Sequence, residues 1–142
     1  CAEFCGESHA YMRFRVIVDT EEDFNNWQQS QLADAKTPNS DQGKQGATLF
    51  ITKGCIACHT IKGVPAAAGI IGPNLTHVGS RGTLAAGIMD MTDQNLSDWL
   101  ENPNKSKPGN IMSKQGIAYT NEAVALTSED ISNLVAYLRA LK

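Results

Sequence analysis

Cys55-Ile56-Ala57-Cys58-His59 decides the reading of this 142-residue chain. Two residues between the cysteines let both thiols add to the two vinyl groups of one haem, and the adjacent histidine then swings beneath the iron as its proximal ligand. Two other chemistries use similar spacings. A thioredoxin-like dithiol needs a βαβ context, and no strand-like run sits immediately before Cys55. A zinc site needs four ligands, which Cys55, Cys58, His59 and His77 could be stretched to supply, although neighbouring Cys58 and His59 point poorly at one tetrahedral ion. Covalent haem is the expectation, with zinc or a bare dithiol as the alternatives.

A proximal histidine leaves a sixth place on the iron, where a thioether favours the ferrous state and raises the potential. The candidates are Met12, Met89, Met91 and Met112. Met112 lies in Lys107-Pro108-Gly109-Asn110-Ile111-Met112-Ser113, which Pro and Gly keep out of regular structure, and shortly before the last helix. It is the expected ligand, and Met89 and Met91 are read as packing residues.

Around the motif the pattern is helical. Ala47, Phe50 and Ile51 suit a short amphipathic helix over Asp41–Thr52, where Gly43 and Gly46 leave room for a second helix. Thr92 reads as an N-cap for a helix through Leu96, Trp99 and Leu100, stopped by Pro103. Thr127 or Ser128 starts the last helix, whose apolar face is Ile131, Leu134, Val135, Leu138 and Leu141. Gly63–Gly87 and Asn102–Asn121 read as long Gly/Pro-rich loops, and loops of that length need something large to hold them.

Composition narrows the classes further. With 42% hydrophobic and 19% charged residues the chain is neither disordered, collagenous nor a coiled coil. A formal net charge of −3 offers no basic surface, so no nucleic-acid partner is expected. No apolar run approaches the roughly 18–20 residues of a membrane span, which gives a soluble chain as the expectation. The charge is uneven: residues 1–40 carry three basic side chains against seven acidic ones, and the rest carries nine against eight. That shift divides the chain near position 40, into segments 1–40 and 41–142. Starting at Cys1, without an initiator Met or a signal-like leader, the chain reads as an excised piece.

In the order helix, Cys-x-x-Cys-His, Gly72-Pro73-Asn74-Leu75, Trp-bearing helix, Pro-Gly-x-x-Met, final helix, residues 41–142 resemble a class I cytochrome c. The resemblance implies a mainly α fold wrapped around one covalent haem c. It implies that the Pro73 carbonyl accepts a hydrogen bond from the ring N–H of His59, and that Gly46 and Phe50 meet Tyr137 where the first and last of these helices cross. Trp99, by its indole N–H, and Arg81, by its charge, are the expected partners of the haem propionates. Lys53, Lys62, Lys105, Lys107 and Lys114 are read as a positive rim steering an acidic partner.

Cys1-x-Glu3-x-Cys5-x3-His9-x2-Met12 is a dense run of soft and borderline ligands, and two thiolates four apart can bridge two copper ions. The run resembles the binuclear copper loop of cytochrome c oxidase subunit II, in which the Glu supplies its backbone carbonyl and a further His comes from an earlier strand outside this sequence. Phe14–Val18 alternates like a strand and Thr20–Ala35 reads as a capped helix, both similar to the end of that cupredoxin domain. Leu75-Thr76-His77-Val78-Gly79-Ser80-Arg81 looks like a stretch typical of cytochrome c domains fused to subunit II.

The likeness implies an electron-transfer domain, not an enzyme by itself. Electrons would come from a small redox donor, a cytochrome or iron–sulfur protein, and go to the binuclear copper centre of a terminal oxidase. The other oxidase subunits would be partners, the parent would be membrane-anchored, and the domain would lie outside the cytoplasm, on the periplasmic side. With one His lacking, the copper site is expected to stay empty in this chain. An independent soluble periplasmic cytochrome c and a zinc-binding structural module are the competing readings.

Overall fold

The computed structural model describes residues 1–142. Seven α-helices follow one another: α1 (Glu21–Leu32), α2 (Asp41–Thr52), α3 (Asp93–Glu101), α4 (Pro103–Ser106), α5 (Ile111–Gln115), α6 (Ile117–Thr120) and α7 (Ser128–Ala140). Between α2 and α3 a two-stranded antiparallel ribbon, β1 (Thr83–Leu84) and β2 (Met89–Asp90), pairs Thr83 with Asp90 and Leu84 with Met89. No helix is long and apolar enough to cross a membrane.

Side-chain caps set where the longer helices begin. Thr20, Ser40 and Thr92 each accept a hydrogen bond from the backbone N–H three residues on, satisfying donors that have no partner inside the helix. At α7 the cap is reciprocal: Thr127 accepts from the Asp130 N–H while the Asp130 carboxylate accepts from the Thr127 N–H at 3.0 Å.

The core forms where α2 crosses α7. Phe50 from α2 meets Tyr137 from α7 edge to face, with ring centroids 5.6 Å apart, and Ile131, Leu134, Leu138 and Leu141 complete the seam against Leu96 and Leu100 of α3. Gly46 makes the crossing possible. A Cβ there would stand 2.0 Å from the Asn133 carbonyl oxygen and 2.7 Å from Tyr137 Cβ. A turn at Val78–Ser80 closes the far end, its Gly79 N–H donating to the Leu141 carbonyl at 2.8 Å.

Two expectations change. Phe14–Val18 is not a strand, because a lone alternating segment has no ladder partner; Phe14 and Val18 are 82% and 92% exposed. Asn102–Asn121 is not a loop either. It holds α4, α5 and α6, so Met112 stands in a short helix. Asn102 and Asn110 cap α4 and α5 through their side-chain oxygens, signals too local to show as periodicity. Thr20–Ala35 does contain its capped helix, three residues shorter at the end.

A candidate haem site and a thiol–imidazole cluster

Cys55 opens a tight turn directly after α2, entered through Gly54 at φ +76. This turn delivers His59 beneath the α2–α7 core, its ring centroid 6.4 Å from that of Phe50. His59 Nδ1 lies 2.8 Å from the Pro73 carbonyl oxygen. A carbonyl only accepts, so Nδ1 carries the proton and Nε2 keeps its lone pair for a metal. Burial holds the imidazole below its ordinary pKa, against the Pro73 bond and with help from the Arg81 charge, so the neutral ligand form prevails at pH 7.

Pro73 is itself held by a dense set of local bonds. Thr60 Oγ1 donates to the Gly69 carbonyl at 2.6 Å, the Lys62 N–H to Thr76 Oγ1 at 2.9 Å, and the Gly72 N–H to the Cys58 carbonyl at 2.7 Å. The Arg81 guanidinium donates to the Asn74 carbonyl, so it braces the turn that aims Pro73. Gly72 lies flat against the imidazole: a Cβ would come within 2.5 Å of His59 Cε1.

The segment bearing Met112 closes the other side of Cys55. Ile117 of α6 packs on Gly54, where a Cβ would meet its Cγ2 at 2.6 Å. Tyr119 donates its hydroxyl to the Leu100 carbonyl at 2.9 Å, and burial, with the nearby Cys55, pushes the phenol well above its usual range. Burial likewise raises the Cys55 thiol to about 11. Cys55 is therefore a neutral thiol at pH 7, slow to oxidise but available for addition to a vinyl group. Met112 is half-buried against the core; Asn110 fixes its turn by accepting from the Ser113 N–H at 2.8 Å and donating to the Lys107 carbonyl at 2.6 Å. Trp99 is half-buried against the same core.

These residues fit a haem. Two thiols can bond the vinyl groups of such a ring, and a neutral imidazole with its metal-facing nitrogen free and a thioether can supply the two ligands to its iron. The flanking segments turn apolar side chains outward: Ile70 and Ile71 beside Pro73 are 90% and 62% exposed, and Ile111 next to Met112 is 58% exposed. A flat apolar ring covers such side chains.

At the other end of the chain, Cys1 and Cys5 Sγ stand 3.6 Å apart, Cys5 Sγ lies 3.7 Å from His9 Nδ1, and the three ligand atoms fall within 4.8 Å of one another. The Cys1 thiol donates to the Glu3 carbonyl at 3.0 Å, which brings that oxygen to the cluster. Met12 follows directly after the His9–Tyr11 turn, half-buried. Two thiols, an imidazole and a carbonyl suit a thiophilic ion such as copper.

The lysine rim needs correcting. Lys53 pairs with Asp130 at 2.9 Å, Lys62 with Asp34 at 3.4 Å and Lys114 with Glu7 at 3.1 Å, so three of the five expected cations answer the chain's own carboxylates. Nor does sequence reading find Ser8, Glu7 and Arg15, which bind the haem-site half of the chain; their polar character alone carries no such signal. Gly72 and Tyr119 also go unread, although a glycine immediately before Pro73 hints at the close approach.

Comparison with known proteins agrees with this geometry. The family model for cytochrome c matches residues 43–142. The chain is similar along 100% of its length to cytochrome c oxidase subunit 2 of Alkalihalophilus pseudofirmus, 36% identical over 142 residues, and to that of Bacillus subtilis, 35% identical over 144. It spans 38% of the length of each of these relatives. Cytochrome c of Kluyveromyces lactis is 40% identical over 86 residues, 52% of this chain and 74% of that protein. With its Cys-x-x-Cys-His turn, its helical crossing and these matches together, the chain belongs to the cytochrome c family, whose mark is covalently bound haem c.

Proposed function

We propose that the chain carries single electrons through a haem c attached at Cys55 and Cys58 and ligated by His59 and Met112, within a terminal oxidase. The observation that supports this reading best is the His59–Pro73 bond of 2.8 Å, which leaves the lone pair of the opposite nitrogen free for a metal. A six-coordinate haem supplies reversible one-electron chemistry and leaves no open place for oxygen or substrate. The protein's own part is to hold both ligands still: Pro73 orients and strengthens the imidazole, and the Asn110-capped turn holds Met112. Arg81 and Trp99 hold the propionates.

In this reading, residues 1–40 are the end of a copper-binding domain and residues 41–142 the haem domain. The carrier takes electrons from a small cytochrome or iron–sulfur protein and delivers them to a binuclear copper centre to which Cys1, the Glu3 carbonyl, Cys5, His9 and Met12 contribute. A further His from outside this sequence completes that centre. The end-to-end similarity to oxidase subunits supports this assignment. Covalent haem attachment fits an extracytoplasmic, periplasmic-side location with the other oxidase subunits as partners.

The visible spectrum of the matured protein tests the reading. A sharp reduced α-band and, when oxidised, a weak near-red sulfur–iron band are expected, the latter lost in Met112→Leu. A sulfur band that survives in Met112→Leu removes Met112 as ligand; a colourless matured protein that loses its fold to chelators sinks the haem reading in favour of zinc.

A further inference from the structure

We propose that residues 7–15 form a built-in dock on the Met112 side of the haem domain, and that Ser8 is the positioning residue through which the metal-binding cluster is coupled to that side. The inference rests on the functional reading above and adds the route by which the electron leaves.

Four contacts join this segment to the haem domain. Ser8 Oγ donates to the Pro108 carbonyl at 2.6 Å, Lys114 Nζ donates to Glu7 Oε2 at 3.1 Å, the Arg13 N–H donates to the Ala86 carbonyl at 2.7 Å, and Arg15 pairs with Asp90 at 2.5 Å. The ion pairs are open to solvent and serve orientation more than strength. The Ser8 bond is half-buried.

The receiving surface is shaped for the segment. Where Glu7 lies over the turn before the Met112 helix the chain has Gly109, at φ +77, and a Cβ there would stand 2.4 Å from Glu7 Oε2 and 2.5 Å from its Cβ. Where Arg13 passes the ribbon the chain has Gly87, at φ +76, and a Cβ would stand 2.6 Å from the Arg13 carbonyl oxygen. Both positions need a left-handed backbone as well, so the turns that receive the segment are also the ones that leave it room.

Connectivity then defines a path. Ser8 adjoins His9, whose Nδ1 faces Cys5, and Pro108 leads through Gly109 and the Asn110 cap to Met112. Along this path the Ser8 bond is a single non-covalent step between the cluster turn and the backbone that leads to the Met112 helix, with the Glu7–Lys114 pair beside it. With haem held by Cys55, Cys58, His59 and Met112 and copper by the Cys1–Cys5–His9 cluster, this path would serve the transfer of one electron, the iron being oxidised and the copper pair reduced, with no bond formed or broken and no proton moved.

The test uses the full-length protein loaded with haem and copper. Without any electron flow, a carbodiimide should condense the Glu7 carboxylate with the Lys114 amine, with loss of water, and the linked peptide should appear by mass spectrometry. Ser8→Ala should lower the docked-to-undocked ratio about fivefold, and the haem-to-copper rate after pulsed reduction with it, while both optical signals stay unchanged. Gly109→Ala should lower the cross-link yield and the rate together. Absence of a Glu7–Lys114 amide, or an unchanged rate in Ser8→Ala with both metals loaded, overturns the dock. Absence of haem or copper signals in the wild type sinks the functional reading instead, and the cross-link then still decides whether the contact exists.

Discussion

Gly72→Ala probes the site with a single methyl group. The backbone at Gly72 is one any residue adopts, so the cost is steric alone: the new Cβ would lie 2.5 Å from His59 Cε1, 2.7 Å from Nδ1 and 3.1 Å from Nε2, where ordinary contact begins at 3.4 Å. The imidazole must retreat by nearly an ångström. It cannot do so and keep Nδ1 at 2.8 Å from Pro73 O. Overpacking of this kind costs about 1–3 kcal/mol, and the weakened hydrogen bond about 1 kcal/mol more. For a chain of this size a loss of about 2–4 kcal/mol lowers the melting temperature by roughly 5–15 °C. The second readout is electrochemical. A histidine deprived of its acceptor is a poorer donor to ferric iron, so the midpoint potential should rise, by about 40 mV for each ~1 kcal/mol of ferric stabilisation lost. Gly82→Ala is the control, since a Cβ at Gly82 meets nothing within 4 Å. If Gly72→Ala melts and titrates like Gly82→Ala, the imidazole is not held between Gly72 and the Pro73 carbonyl as argued.

Other perturbations separate the scaffold from the site. Gly46→Ala puts a methyl 2.0 Å from the Asn133 carbonyl, and should destabilise by about 2–3 kcal/mol in urea titrations despite the ~1 kcal/mol gain in helix propensity; a more stable variant would contradict the crossing. The Asp130 carboxyl is held below the usual range, first by the Thr127 N–H and then by Lys53. A depressed native pKa means that the unfolded state binds more protons, so this contribution is present above about pH 4 and fades as pH falls through the native value. Asp130→Ala should therefore cost about 1–2 kcal/mol at pH 7, and its urea midpoint should approach that of the wild type on acidification; a constant gap refutes the assignment. Arg81→Leu removes a cation beside the iron site, so the potential should fall in a redox titration. An unchanged potential removes Arg81 from the haem environment.

How much could be read in advance depended on the range of the forces involved. The starts of α3 and α7 are legible because Thr92 and Thr127 mark them through bonds spanning a few residues, while α2, capped by Ser40, is legible through the spacing of Ala47, Phe50 and Ile51; the apolar spacing from Ile131 to Leu141 shows which face of α7 is buried. Pro73 was legible only through the family resemblance. The short helices α4 to α6 were missed because four or five residues hold too few apolar positions for a period; side-chain caps and packing of Ile117 on Gly54 sustain them. Phe14–Val18 misled for the opposite reason. Alternation records a capacity to pair, and the strands β1 and β2 pair with each other, leaving Phe14–Val18 without a ladder.

The two sides of the haem site are built differently, and the difference bears on electron transfer. On the histidine side, Thr60, Lys62, Asn74, Thr76 and Arg81 tie successive loops by side-chain-to-backbone bonds, so the imidazole is fixed before any metal binds. The Met112 side is carried by helices of four and five residues, anchored by Asn110 and Tyr119 and covered by the segment around Ser8. A carrier works fastest when neither ligand moves as the iron changes charge. The histidine side meets that condition through its own bonds. The methionine side meets it only while its short helices stay packed, and the dock of residues 7–15 adds restraint there. If Met112 ligates the iron as proposed, one set of contacts would both steady that ligand and lead toward the Cys1–Cys5–His9 cluster, so the ordering of the short Met112 helix would depend on the segment that carries the cluster.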